Sequence, residues 1–339
     1  MGGSRTCEPK MSETIFRIAA AFALDFAAGD PRWMPHPVRL IGRVIAALEE
    51  TLARLLGRTR LAGLCLAGIA VGGAYMATWA ALLAAGTIDR RLALGLSVYF
   101  LYTSFAARDL DRHATRVYFA LEKNDLAGAR ENLALMVGRD TGGLSEKEVI
   151  RAATESTAEG TVDGVLAPMF FAAVGGAPLA MAYKAANTLD SAVGHRSEKY
   201  LRIGWASARL DDALNYIPAR LARIFYPAAA LVCGLSAGGC WRISVRDGAK
   251  SPSPNAAISE AALAGALGIR LGGTNVYGGV PEERPHLGDP LREPERRDIR
   301  RAVLWMYASS ALGLLFMMGI MIGTGFLMNM GAVRTIFSG

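Results

Sequence analysis

The feature that most constrains this chain is a run of 26 residues, Leu61–Gly86, without one charged side chain. At about 1.5 Å of rise per residue such a helix is about 39 Å long, enough to cross a hydrocarbon core of about 30 Å with tilt. Asp89, Arg90 and Arg91 mark a short connection, and Leu92–Ala107 adds 16 uncharged residues running back. The two runs predict a transmembrane hairpin over 61–86 and 92–107. A third run, 302–333, is uncharged over 32 residues. As a C-terminal membrane segment it is too long for one straight span, so it is either one helix leaving the bilayer or two pieces broken near Gly323 and Gly325.

Composition agrees. Hydrophobic residues make up 52% of the chain and charged residues 20%, whereas soluble domains sit near about one-quarter charged. The same numbers exclude a disordered chain. The expected class is all-α: a polytopic integral membrane protein whose single membrane domain takes in 1–339.

Val165–Tyr183 is apolar but interrupted by Pro168, Gly175-Gly176 and Pro178. A helix broken at membrane depth must be buried in protein or line a cavity, because its freed backbone groups need partners. Residues 165–183 are therefore expected to be re-entrant or buried, within a polar, motif-bearing helical region over 108–223. Ile224–Trp241 is just long enough for a further candidate span, and 242–301 reads as a polar loop region. Residues 1–60 carry nine Lys and Arg, which places the N-terminus and the returning 108–164 on the cytoplasmic side. The expected location is a multi-pass cell inner membrane with the polar motifs facing the cytoplasm.

Several readings are weak or excluded. Residues 15–28 resemble a secretory core, but Asp25 lies inside the run and Gly29-Asp30-Pro31 reads as a turn, against cleavage. Met1-Gly2 with Thr6 matches the bare myristoylation pattern and no more. The four cysteines have neither disulfide nor zinc spacing. The net charge of +7 is interspersed with acids rather than gathered into a patch, so lipid is the expected partner and nucleic acid is not.

Four polar clusters could carry chemistry. Asp25, Asp30, Arg32, His36 and Arg39 fall within fifteen residues, with His36 held between Pro35 and Pro37. They suit a phosphate or a metal, or equally an interfacial turn anchored by Trp33. Glu155, Glu159 and Asp163 repeat at one helical turn, so like charges face one another. Adjacent members could share Mg²⁺, helped by Gly160 and Gly164, or form a solvated acidic face.

Lys184, Asn187, Thr188 and Asp190 offer phosphate donors or a snorkelling lysine and cap. Behind them come Trp205, Arg209, Asp211, Asp212 and Asn215. Asp211 and Asn215 could take a metal, and Arg209 with Asp212 could be a plain intrahelical pair. Last, Ser253 and Asn255 precede Arg270-Leu271-Gly272-Gly273-Thr274-Asn275, where Gly-rich backbone could cradle an anion. No Walker A pattern is present.

Taken in order, these motifs closely resemble the adenosylcobinamide-phosphate synthases of cobalamin biosynthesis (CbiB/CobD type). The resemblance rests on Gly29-Asp30-Pro31-Arg32-Trp33 with Pro35-His36-Pro37-Val38-Arg39-Leu40-Ile41-Gly42, and on Glu155-Ser156, Glu159 and Asp163-Gly164 with Ala167-Pro168. It continues through Tyr183-Lys184-Ala185-Ala186-Asn187-Thr188-Leu189-Asp190 and Gly204-Trp205-Ala206-Ser207-Ala208-Arg209-Leu210-Asp211-Asp212. Ser253-Pro254-Asn255-Ala256 and Arg270-Leu271-Gly272-Gly273 complete it. Gly160, Ser251 and Ala257 depart from the family pattern.

What the resemblance implies is an ATP-dependent ligase. It would join the carboxylate of adenosylcobyric acid to the amine of aminopropanol phosphate or ethanolamine phosphate. The product would be adenosylcobinamide phosphate, made with Mg²⁺ and with ATP as co-substrate, and other late enzymes of the pathway are candidate partners. On this expectation Glu155, Glu159, Asp163 and Asp211 are metal ligands, and Lys184, Arg39 and Arg209 hold phosphates. His36 or Asp190 is the general base. Asp30, Asn187, Thr188, Trp205, Asn215, Ser253, Asn255, Arg270 and Asn275 bind substrate. The alternative is a non-catalytic membrane sensor, scaffold or corrinoid-binding partner resembling the AmpE type. The density of polar motifs outside the apolar runs favours the enzyme.

Overall fold

A computed structural model describes residues 11–31, 33–194, 198–251 and 253–337, with side chains through Thr324. The myristoylation pattern, Arg32 and Pro252 lie outside the described residues. The described chain is helical throughout apart from one two-stranded hairpin. In order come α1 (Met11–Ala28), α2 (Pro37–Leu56), α3 (Arg60–Ile88), α4 (Arg90–Ser104), α5 (Ala107–Glu122), α6 (Leu126–Ala134) and α7 (Glu146–Thr161). A π-helical turn (Val162–Leu166) joins α7 to α8 (Ala167–Val193). Then follow α9 (Trp205–Val232), α10 (Ala237–Asp247), α11 (Ala256–Leu267), β1 (Leu271–Tyr277), β2 (Val280–Leu287) and α12 (Arg297–Phe337).

Local sequence explains where these helices begin. Thr59 accepts the Ala62 N–H at the start of α3, and Asp89 accepts those of Arg91 and Leu92 at the start of α4. Ser145 and Glu148 exchange a full capping box at α7. Among the described residues three helices are long and apolar enough to cross a membrane: α3, the stack α7–α8, and α12 as far as Thr324. More of the apolar window of α7–α8 is covered by protein than of the other two. It is the central helix, packed by α2, α3, α4 and α9.

The interruption expected in 165–183 is real. Gly175 and Gly176 leave helical geometry, Gly176 with φ +66°, and Pro178 supplies no N–H to restore the ladder. The α3–α4 hairpin forms, but α4 has 15 residues, about 22 Å, and falls short of a bilayer core. The segment 302–333 is one helix with no break at Gly323 or Gly325.

Two expectations are corrected. Residues 224–241 are not a span: α9 ends at Val232, Gly234 turns the chain at φ +67°, and Ser236 caps α10 by accepting the Gly239 N–H. Nor is 242–301 a loop region, because it holds part of α10, all of α11, the β-hairpin and the start of α12. The strands pair antiparallel, with Tyr277 opposite Val280 across a Gly278-Gly279 turn in which both φ are positive, the geometry a two-residue hairpin needs. Trp305 on α12 is fully buried against Tyr226 of α9, ring centroids 4.6 Å apart.

Candidate active site

The turn between α1 and α2 is held from several sides. Gly29 ends α1 at φ +60°, where a Cβ would meet Arg108 and Arg112. Its carbonyl accepts the Tyr102 hydroxyl, and the Pro35 carbonyl accepts that of Tyr99. Asp25, 1% exposed, accepts the Ala107 and Arg108 N–H groups at 2.9 and 3.4 Å, capping α5 across the fold. Burial raises its carboxyl to about 6.

This lock sets α5 beside the turn, around a cavity of about 620 Å³ lined by Asp30, His36, Arg39, Asp109, Arg112, His113 and Arg116. His36 is the N-cap residue of α2. Its Nε2 lies 2.8 Å from Asp30 Oδ2, with the ring 6% exposed. Its Nδ1 and Asp30 Oδ1, both buried, have no hydrogen-bond partner among the described residues.

Lys184 connects this cavity to the acidic motifs. It lies within electrostatic reach of Asp163, Asp30 and Asp211. The Asp211 carboxylate accepts from Asn215 Nδ2 at 3.0 Å and more loosely from Asn187 at 3.4 Å. Asn215 Oδ1 accepts the Tyr183 hydroxyl at 2.8 Å. Burial raises Asp211 to about 6, with Asp212 and Glu159 pushing the same way and the two amides opposing. Glu159 is reached by water, and Asp163, Lys184, Asp190 and Asp211 are partly so. Asp163 lies within electrostatic reach of the other four.

The structure adds residues that the sequence did not single out. Burial pushes Glu260 on α11 well above the usual carboxylate range; Glu159 and Glu155 add to the rise and Arg284 and Arg139 oppose it. Arg112, His113, Arg116 and Asp109 face the His36 turn. Their spacing along 109–116, at three and four residues, puts them on one helix face.

Other expected residues are elsewhere. The Glu155 Oε2 accepts Arg139 at 2.6 Å and its Oε1 accepts the Gly272 N–H at 2.7 Å. With both oxygens taken, it holds the hairpin rather than a metal. The Gly-rich cradle at 270–275 does bind an anion, and that anion is Glu155. Asn275 belongs to the same clasp, its Oδ1 accepting Arg139 at 2.6 Å and Arg151 at 3.1 Å.

Ser253 donates to Asp212 Oδ1 at 2.9 Å, and Asn255 donates to the Asp212 carbonyl at 2.7 Å. Both fasten α11 to α9. Thr188 returns its hydroxyl to the Lys184 carbonyl. Arg209 is exposed and pairs with Asp212 at 3.9 Å. Trp205 stacks under Arg60, and Arg270 is exposed. None of these last three reaches Asp163 or its four neighbours through a contact seen here.

Among the described residues no three His, Cys, Asp or Glu side chains form a ready-made metal cage. Glu159, Asp163 and Asp211 carry the carboxylate oxygens that suit Mg²⁺, an ion that keeps waters and is usually held by one or two carboxylates plus substrate phosphates.

The sequence model of the family described as CobD/Cbib protein matches residues 18–306. The cobalamin biosynthesis protein CobD of Geobacter metallireducens is 49% identical over 302 residues, covering 89% of this chain and 95% of the relative. That of Pelobacter propionicus is 45% identical over 293 residues, covering 86% and 91%. The cobalamin biosynthesis protein CbiB of Salmonella typhimurium is 44% identical over 304 residues, covering 89% and 95%. No solved structure matches the chain. The chain therefore belongs to the CobD/CbiB family.

Proposed function

We propose that this protein acts in cobalamin biosynthesis as an ATP- and Mg²⁺-dependent ligase, joining the free carboxylate of adenosylcobyric acid to the amine of aminopropanol phosphate or ethanolamine phosphate. The reading is supported by the electrostatic reach of Lys184, which takes in Asp30, Asp163 and Asp211 from three separate motifs.

A carboxylate condenses with an amine only after activation. Transfer of the ATP γ-phosphoryl group to the carboxylate gives an acyl phosphate and ADP. The amine then attacks the acyl carbon, phosphate leaves, and the ammonium proton passes to a base. Lys184 and Arg39 supply positive charge to phosphate oxygens. His36, held by Asp30, or Asp190 accepts the proton. Mg²⁺, held by Glu159, Asp163 and Asp211, would supply charge neutralisation on the phosphates. The site is expected on the cytoplasmic face of the inner membrane, where ATP is present.

The test is incubation of the detergent-solubilised protein with ATP, Mg²⁺, adenosylcobyric acid and aminopropanol phosphate. The expected result is a corrinoid heavier by the condensed amine, with one ADP released per product. Retained corrinoid binding without product, at any ATP concentration, overturns the ligase and leaves a binding role.

A further inference from the structure

We infer that the cavity between the α1–α2 turn and α5 binds the small phosphorylated amine, with Arg112 and Arg116 holding its phosphate and the Asp30–His36 pair holding its ammonium group. This rests on the ligase reading and assigns one of its substrates to a place. Neither arginine belongs to a motif singled out in the sequence.

The charge pattern decides which substrate fits. The cavity presents three guanidiniums (Arg39, Arg112 and Arg116) together with two carboxylates (Asp30 and Asp109). A polyphosphate would meet both carboxylates as like charges. A small zwitterion, phosphate dianion at one end and ammonium at the other, satisfies both signs. The apolar part of the lining is Pro31, Val38 and Leu135, and among the described lining residues there is no Phe, Tyr or Trp. The volume exceeds what such a zwitterion needs, which leaves room for the second reactant's carbonyl group.

The polar groups are poised for a ligand. Arg112 spends one nitrogen on the Ala28 carbonyl at 2.7 Å, which fixes the side chain over the turn. Arg116 is exposed and has no ion pair among the described residues. The buried Asp30 Oδ1 and His36 Nδ1 lack partners, and leaving such groups unmatched is costly unless a ligand or water serves them. Asp30 is also within electrostatic reach of Lys184, one of the residues assigned to the phosphates in the ligase reading.

The experiment measures turnover against each substrate in turn, and binding of O-phosphoethanolamine alone by calorimetry, for wild type, Arg116→Ala and Arg112→Lys. Arg54→Ala, an exposed cation on α2, is the control. The expected result is a rise of at least tenfold in KM for the amino-alcohol phosphate in Arg116→Ala. KM for ATP and for the corrinoid stays within about twofold, and the loss is smaller in Arg112→Lys. Binding of O-phosphoethanolamine should weaken in parallel, with ethanolamine and inorganic phosphate each binding less well than the zwitterion. Amide formation with an unchanged KM for the amine, or with a raised KM for ATP only, overturns the inference and leaves the ligase standing. Arg116-dependent binding of O-phosphoethanolamine without amide formation does the reverse. Neither binding nor turnover in wild type overturns both.

Discussion

Asp25 shows how a single side chain ties the fold to the site. It lies outside the candidate spans, caps α5 from α1, and is raised by burial to about 6 from an ordinary 3.8. The folded chain thus holds this proton more tightly than the unfolded chain. Its contribution to stability is greatest below about pH 4, falls as pH rises to about 6, and is flat above. The fall is about 3 kcal/mol. Thermal melts in detergent between pH 4 and 7 should show this slope in wild type and a flatter one in Asp25→Asn; an equal slope in both would assign it to other groups. Glu155 is the opposite case, a fully engaged carboxylate. Glu155→Ala strands Arg139 and Arg151 and should cost about 3 kcal/mol, seen as a lower melting temperature and early protease cleavage in the hairpin. Were Glu155 a metal ligand, turnover would fall while the melting temperature held.

Among the elements, α3 and α8 carry the architecture. Gly63 on α3 faces the Ile203 carbonyl so closely that any Cβ would collide with it. Gly63→Leu should therefore destabilise by about 1–3 kcal/mol through overpacking, and an unchanged melting temperature would mean that α3 does not approach this closely. The α3–α4 hairpin, the break in 165–183 and the apolar C-terminal helix were legible because lack of charge, Pro and Gly act locally. The end of α9 was not. Ile224–Trp241 is uncharged on both sides of the bend, and only Gly234 and Ser236 report the turn and cap. The β-hairpin was hidden for a different reason: its strands are anchored by Arg139, Arg151 and Glu155, contacts more than a hundred residues away in sequence.

At the scale of the whole molecule, Asp30, Asp163 and Asp211, from three separate motifs, lie within electrostatic reach of Lys184, while Arg209, Ser253 and Asn255 pair with Asp212 of α9. Residue types named the first group, but only the fold separates the two. Arg112 and Arg116 line the cavity from α5, a helix that carried no recognised motif, since a charged face on an amphipathic helix looks the same whether it meets solvent or a ligand. The central claim is that Lys184 joins the two halves of one ligation site. Its most direct test is the single-turnover rate of amide formation by Lys184→Ala, with folding checked by its melting temperature. A folded variant slowed by at least a thousandfold is the expected result. A folded variant with wild-type turnover would contradict the account.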